Sequence, residues 1–319
     1  MRIINAGYEI FDPYAKEDII KKIERVARVC YKSEDKITEG SAEKMVRALV
    51  KRGHYAMLEH GSIIIEVDRW SYNHVLILLD KIRDMEGRIP YIRYTSNNYS
   101  ERFLVSGNCR AWREFLELCS FYEVAVSERL LNILYRVEYA PIFEGVHVKR
   151  VSNGATCKEI FFRDLTDKEK LIHGDLSVKF TTDRGISHEI VRHREASFAQ
   201  ESTRYCNYGN AGEITGIRPC YLAEDSLEFD EWAESCMRAE LGYIRLLNTG
   251  FTPQQARAVL PTSLKTELVM TANLREWRHF FKLRALGVSG KPHPQVVEVA
   301  LPLLRELQEK IPVVFEDLV

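Results

Sequence analysis

The chain has 319 residues, 45% hydrophobic and 29% charged, which suits one large globular domain or two ordinary ones and excludes a disordered or fibrous protein. Its 45 basic and 46 acidic residues nearly cancel, which argues against a protein that lives on a nucleic-acid polymer but leaves room for a small anionic ligand. Seven cysteines without a CxxC pair predict neither a disulfide framework nor structural zinc. With no signal peptide or membrane span expected either, a soluble cytoplasmic protein is the expectation.

Ile19, Ile20, Ile23, Val26, Ala27 and Cys30 recur at helical spacing and predict an amphipathic helix over 18–30. A second helix runs from Ser41, read as its N-cap, to Gly53, read as its stop. The β-branched run at 62–67 predicts a strand, and 69–85 a helix. Residues 89–106 mix aromatics with Asn and Ser, so strand and loop both fit. One or two helices are expected over 109–138, then an irregular charged stretch over 140–175. Residues 176–182 read as a strand feeding the helix that carries Arg192. Further helices are expected at 228–248, 273–286 and 294–310. Long helices with a few separated strands predict an α+β fold rather than βαβ alternation.

One element recurs. Asn108, Arg110, Trp112, Arg113, Phe115 and Leu118 reappear, in the same spacing, as Asn273, Arg275, Trp277, Arg278, Phe280 and Leu283. Two amphipathic helices with similar packing faces would explain it. So would a duplicated element of which only one copy kept a ligand role. Two copies alone are too few for a solenoid.

The densest polar stretch is 182–205, holding Arg184, His188, Glu189, Arg192-His193-Arg194, Gln200, Glu201, Ser202 and Arg204. Successive helical residues point about 100° apart, so the Arg-His-Arg triplet cannot face one small group. At a helix end it can contact two ligands, or one extended one. A hydroxyl and a guanidinium at Ser202 and Arg204 suit a phosphate. On charge alone the stretch also fits a solvated helix with Glu189, Glu195 and Glu201 as ion-pair partners. A metal site is not expected: His188 and His193 are five residues apart, not the four of a zinc-protease helix, and no carboxylate pattern joins His54 and His60.

Arg192-His193-Arg194, seven residues, then Ser202 resembles the signature of flavin-dependent thymidylate synthases. Four other blocks resemble the same family: Gly53-His54 with Glu59-His60, Arg257 with Pro261, Asn273-x-Arg275 with Phe280 and Leu283-Arg284, and His293-Pro-Gln295. The resemblance covers about the first 70 residues and everything from about 176 onward.

That resemblance implies helices around a mainly antiparallel sheet, in a single catalytic domain over 1–319 interrupted by an insertion at about 70–175. It implies reductive methylation of deoxyuridine monophosphate (dUMP) to thymidylate. Methylenetetrahydrofolate would donate the carbon, FAD carry the hydride and NADPH recharge the flavin. It also implies a homotetramer. Arg192, His193, Arg194, Asn273, Arg275, His279 and the backbone at Ala56 would touch FAD. Glu189, Arg192, Gln200, Glu201, Ser202, Arg204, Arg257 and Arg284 would hold the nucleotide, with Arg284 and Ser202 closest to the chemistry. A guanidinium at Arg284 would stabilise negative charge on the uracil N3–O2 edge as C5 becomes nucleophilic.

The sequence departs from the family pattern in four places. Ala56 stands where Ser or Thr is common, and His279 where some members carry Asn. His293 is set further from Arg284 by a Gly-Val-Ser-Gly loop, and 70–175 separates blocks that are nearly adjacent in short members. Two rival readings are a cysteine-dependent synthase using Cys220 and a nucleotide- or RNA-binding module using Tyr205 and Tyr208.

Overall fold

The computed structural model describes residues 1–15, 18–88, 90–95, 102–152 and 156–319. In chain order the strands are β1 (Arg2–Ile4), β2 (Gly7–Phe11), β3 (Ser62–Val67), β4 (Ile92–Tyr94), β5 (Phe103–Asn108), β6 (Val126–Ser127), β7 (Arg150–Val151), β8 (Cys157–Ile160), β9 (Asp175–Asp183), β10 (Ala196–Gln200), β11 (Thr215–Ile217) and β12 (Lys265–Asn273). The helices are α1 (Ile19–Tyr31), α2 (Ser41–Lys51), α3 (Arg69–Glu86), α4 (Cys109–Phe121), α5 (Glu128–Leu134), α6 (Ala140–Phe143), α7 (Asp167–His173), α8 (Arg184–Ile190), α9 (Leu227–Asn248), α10 (Pro253–Ala256), α11 (Leu274–Arg284), α12 (Pro294–Lys310) and α13 (Pro312–Phe315).

Eight strands form two four-stranded antiparallel sheets, ordered β4-β5-β3-β8 and β10-β12-β9-β2. Each sheet has its own core. Around the first, Ile63, Ile65 and Val105 pack with Leu78 and Leu79 of α3 and Trp112 and Phe115 of α4. Around the second, Val178, Phe180, Leu268 and Met270 pack with Trp277 and Phe280 of α11 and Leu303 and Leu304 of α12. Burying side chains of that size typically contributes about 1.5–3 kcal/mol each. The fold is α+β, as the sequence predicts, and mainly antiparallel, as the resemblance implies, but among the described residues it has two four-stranded sheets rather than one, with the small parallel pairs β1-β11 and β6-β7 beside them.

Local rules explain most boundaries. Asp18 caps α1 by accepting from the Ile20 amide at 3.0 Å, and Gly53 ends the α2 segment with φ of 68°. Ser41 is not a cap: Gly40 holds that position, and Ser41 is the first helical residue, bonded through its hydroxyl to Glu24 at 2.9 Å. The stretch 140–175, expected to be irregular, contains α6, β7, β8 and α7. In the ambiguous stretch 89–106 the structure forms β4 and the start of β5, while residues 89 and 96–101 lie outside the described residues. The expected edge of an insertion near residue 70 falls between β3 and the strands it pairs with, so 70–175 shares a sheet with the sequence before it.

Candidate active site

Asp183 ends β9 and caps α8, its Oδ1 accepting from the Ile186 amide at 2.7 Å. α8 closes at Ile190, one turn earlier than the charge pattern suggests. The Arg192-His193-Arg194 triplet therefore sits in the turn leading to β10, not on the helix. The turn separates the three side chains: His193 points inward at 4% exposure while Arg192 and Arg194 face solvent.

His193 lies against α11. Its Nδ1 is 3.0 Å from Glu276 Oε1, and Arg284 Nε donates to its Nε2 at 3.4 Å. An arginine N–H has only a proton to give, so the His193 proton belongs on Nδ1, facing Glu276. Arg284 also donates to Glu189 Oε2 at 2.7 Å and to the Glu189 carbonyl at 3.0 Å. The His279 ring lies 5.7 Å from that of His193. His193, Glu276 and His279 are close enough to share a metal ion, but the Arg284 guanidinium at the same imidazole opposes an incoming cation.

Between the two sheets lies a cavity of about 300 Å³ lined by residues of both, including Glu59, Arg93, Arg110, Arg194, Ser197 and Asn273. Ser197 Oγ donates to Glu59 at 2.7 Å, and Arg110 pairs with Glu59 at 2.7 Å and Glu114 at 2.8 Å. Arg93 forks onto Asp175 at 2.9 and 2.6 Å. Burial would raise the Asp175 carboxyl, but Arg93 overrides it and holds the group below the usual range. A second cavity of about 400 Å³ is lined by Tyr31, Gly53, His54 and Ala56, with Arg110 on the wall of both.

The remaining predicted residues follow β10. Gln200 donates to Ser187 Oγ at 2.8 Å and to Thr266 at 3.2 Å. The Ser202 amide donates to the Cys30 carbonyl at 3.0 Å, and Ser202 Oγ accepts from the Arg204 amide at 3.3 Å. Arg204 lies over Tyr205, which meets Tyr31 at 5.5 Å, and Arg257 donates to Thr203 at 3.1 Å. Glu201 differs from expectation. Its carboxylate is 1% exposed and held by Tyr208 at 2.7 Å, Lys265 at 3.0 Å and Lys32 at 3.4 Å, which leaves it inside the protein rather than facing a ligand.

The predicted residues thus fall into three groups: the Arg284 cluster, the inter-sheet cavity, and the strip from Gln200 to Arg204 beside Tyr31. Arg275 and His279 are exposed on α11. His293 caps α12, accepting from the Gln295 amide at 3.3 Å. Composition and motif spacing missed Arg93, Glu114, Ser197 and Glu276. Arg110 carried a signal, since its echo of Arg275 places it at the matching point of a second strand–helix unit.

Arg194 on the inter-sheet cavity, Arg192 exposed on the same turn and a carboxylate-held Arg284 against the buried His193 give this α+β protein cationic groups suited to a nucleotide anion. Residues 152–313 match the family model described as thymidylate synthase complementing protein. Over 214 residues the chain is 30% identical to a flavin-dependent thymidylate synthase of Corynebacterium glutamicum, covering 61% of this chain and 81% of that one. It is 36% identical over 128 residues to the enzyme of that name from Pyrococcus horikoshii, a match spanning 40% of this chain and about half of that one (51%). The chain belongs to the flavin-dependent thymidylate synthase family. A solved structure of the UMP/dUMP methylase PolB from Streptomyces cacaoi aligns over 99% of this chain and 96% of its own, with 16% identity and a TM-score of 0.42.

Proposed function

We propose that this chain makes thymidylate from dUMP, taking one carbon from methylenetetrahydrofolate and a hydride from FAD recharged by NADPH. Family membership is the main support, and one observation about this chain carries the reading further. Arg192 and Arg194 on the turn before β10, the latter lining the inter-sheet cavity, and Arg275 on α11 are exposed and have no ion-pair partner among the described residues. Three uncompensated guanidiniums fit the phosphates of a flavin nucleotide or dUMP, which accept bidentate hydrogen bonds.

On this reading FAD, when bound, supplies the hydride, and Arg192, Arg194, Asn273 and Arg275 hold it. Arg204, Arg257 and Ser202 take the dUMP phosphate. Arg284, its guanidinium fixed by Glu189 and His193, stabilises negative charge on the uracil. A donor fixed beforehand loses little to reorganisation when the charge appears. His193 and Glu276 position Arg284. Seven free cysteines among the described residues suit a reducing cytoplasm, and no described helix is long and apolar enough to cross a membrane.

The test is an FAD titration of purified protein, then thymidylate formation with all four reactants. Binding of FAD and product that needs both dUMP and the folate are expected. Protein that neither carries nor takes up FAD would sink the reading.

A further inference from the structure

The two sheets are not merely similar in order. His60 Nδ1, from the first half of the chain, meets Thr271 Oγ1 of β12 at 2.7 Å, and His173 Nδ1, from the second half, meets Ser106 Oγ of β5 at the same distance. Trp112 Nε1 donates to the Ile63 carbonyl at 3.1 Å, and Trp277 Nε1 to the Leu176 carbonyl at 3.0 Å. The Asn108 side chain accepts from the Ala111 amide at 2.8 Å, and that of Asn273 from Glu276 at 2.9 Å. The Gly61 carbonyl accepts from Cys109 at 2.8 Å, and the Gly174 carbonyl from Leu274 at 3.1 Å. Every partner recurs at a constant offset, one for β5–α4 against β12–α11 and another for the His-Gly turn and the strand after it.

The halves also exchange strands. β2, from the first half, closes the edge of the second sheet, and β8, from the second half, closes the edge of the first. Two similar analogies picked from a long chain could arise by chance. Four matched pairs of hydrogen bonds, the same strand order and a reciprocal swap are one arrangement with a pseudo-two-fold axis. The family model matches residues 152–313, a span that holds β8 to α12 of the second half.

The copies differ where ligands are concerned. Pairing of Ile92 with Gly107 and Ala196 with Ala272 aligns β4 with β10. By that alignment Arg192-His193-Arg194 corresponds to Arg88-Ile89-Pro90 in sequence, keeping one of the three. On the helix, His279 corresponds to Glu114 and Arg284 to the buried Cys119. Arg275 corresponds to Arg110, which survives and lines both cavities.

We propose that the chain is a tandem duplication in which the first half occupies the place of a second subunit, contributing Glu59 and Arg110 to the ligand cavity after losing a ligand set of its own. The four subunits implied by the family resemblance then become two chains, each with one live site. The site's identity rests on the flavin reading; the duplication does not.

Native mass spectrometry of the full-length protein with added FAD tests this. Two chains carrying two FAD are expected. Four chains would show that the first half does not replace a subunit, and two FAD per chain would show that its site is live. Either result overturns the proposal. Two chains without FAD would support the duplication and sink the flavin reading instead. In a flavin-fluorescence titration, Arg110→Ala is expected to weaken FAD binding at least tenfold, and Arg88→Ala to leave it within twofold. Arg110 is 39% exposed, so a fold intact by circular dichroism is expected, and unchanged binding in that folded variant overturns its role in the cavity.

Discussion

Arg284 reaches Glu189 twice, through the carboxylate Oε2 at 2.7 Å and the main-chain carbonyl at 3.0 Å, so the last turn of α11 is fastened to the last turn of α8. With His193 as a third acceptor, one guanidinium plane is set by three groups. Arg284→Lys keeps the charge but cannot satisfy that planar arrangement. Losing one preorganised donor to a developing anion typically costs about 100- to 1000-fold in rate. Thymidylate formation should fall by that order while reduction of bound flavin by NADPH, followed by stopped flow, stays close to wild type. A variant with near-normal turnover would move the activating role elsewhere, with Arg204 the next group to examine.

Cys220 is the exposed thiol that a cysteine-dependent mechanism would need. Its surroundings do not activate it: burial, and then Glu298, push the thiol upward, whereas a nucleophilic cysteine needs a lowered pKa. Cys220→Ala should therefore keep most of its activity. A folded, ligand-binding variant without turnover would favour the thiolate route.

Glu201 accepts from Tyr208 and Lys265 inside the protein. Burial alone would lower the Lys265 ammonium, but Glu201 and Glu267 overcome it and raise the group. Tyr208 is raised by burial and by Glu201. Removing one partner of a buried pair strands the other charge and costs about 3–5 kcal/mol. Glu201→Ala should lower unfolding stability by that order in urea, and a Glu201→Ala, Lys265→Met double variant should recover part of it. A loss of dUMP affinity with full stability would instead restore Glu201 as a ligand contact.

Legibility in the sequence followed from how local each signal is. α1, α3, α9, α11 and α12 announce themselves through spacing and caps, and β3 and β9 through β-branched runs. The family signature identified the loop of Arg192, His193 and Arg194, but not its conformation, because a helix stop after Ile190 has no Gly or Pro to mark it. The first sheet, β4-β5-β3-β8, was hidden for a different reason. Its outer strands, β4 and β8, are three and four residues long, too short for alternation to register. The echo of Asn108 to Leu118 was visible, but its meaning depends on contacts such as Trp112 to Ile63 and Trp277 to Leu176, which lie far apart in sequence. Glu59, Arg93 and Ser197 meet only because two halves face one another.

The facing halves also make a prediction about acid. His60 and His173 are both fully buried, and burial is the main cause that lowers each. His60 is pushed down to about 3, with Lys22 adding to the effect, and His173 to about 4, with Arg93 adding to it. In the unfolded chain both titrate near 6.5. Below that pH the unfolded state binds protons that the folded state refuses, so stability falls as pH falls through the window from about 6.5 toward 4. The slope is about 1.4 kcal/mol per pH unit for each histidine, or roughly 2 kcal/mol each between pH 6.5 and 5. Urea unfolding at pH 7.5 and 5 should show that loss on top of whatever the carboxylates contribute. In a His60→Gln, His173→Gln double variant the amides can still bond to Thr271 and Ser106 but cannot titrate, so the loss should shrink by several kcal/mol. Equal losses in both proteins would mean that burial does not keep the two histidines neutral in the fold.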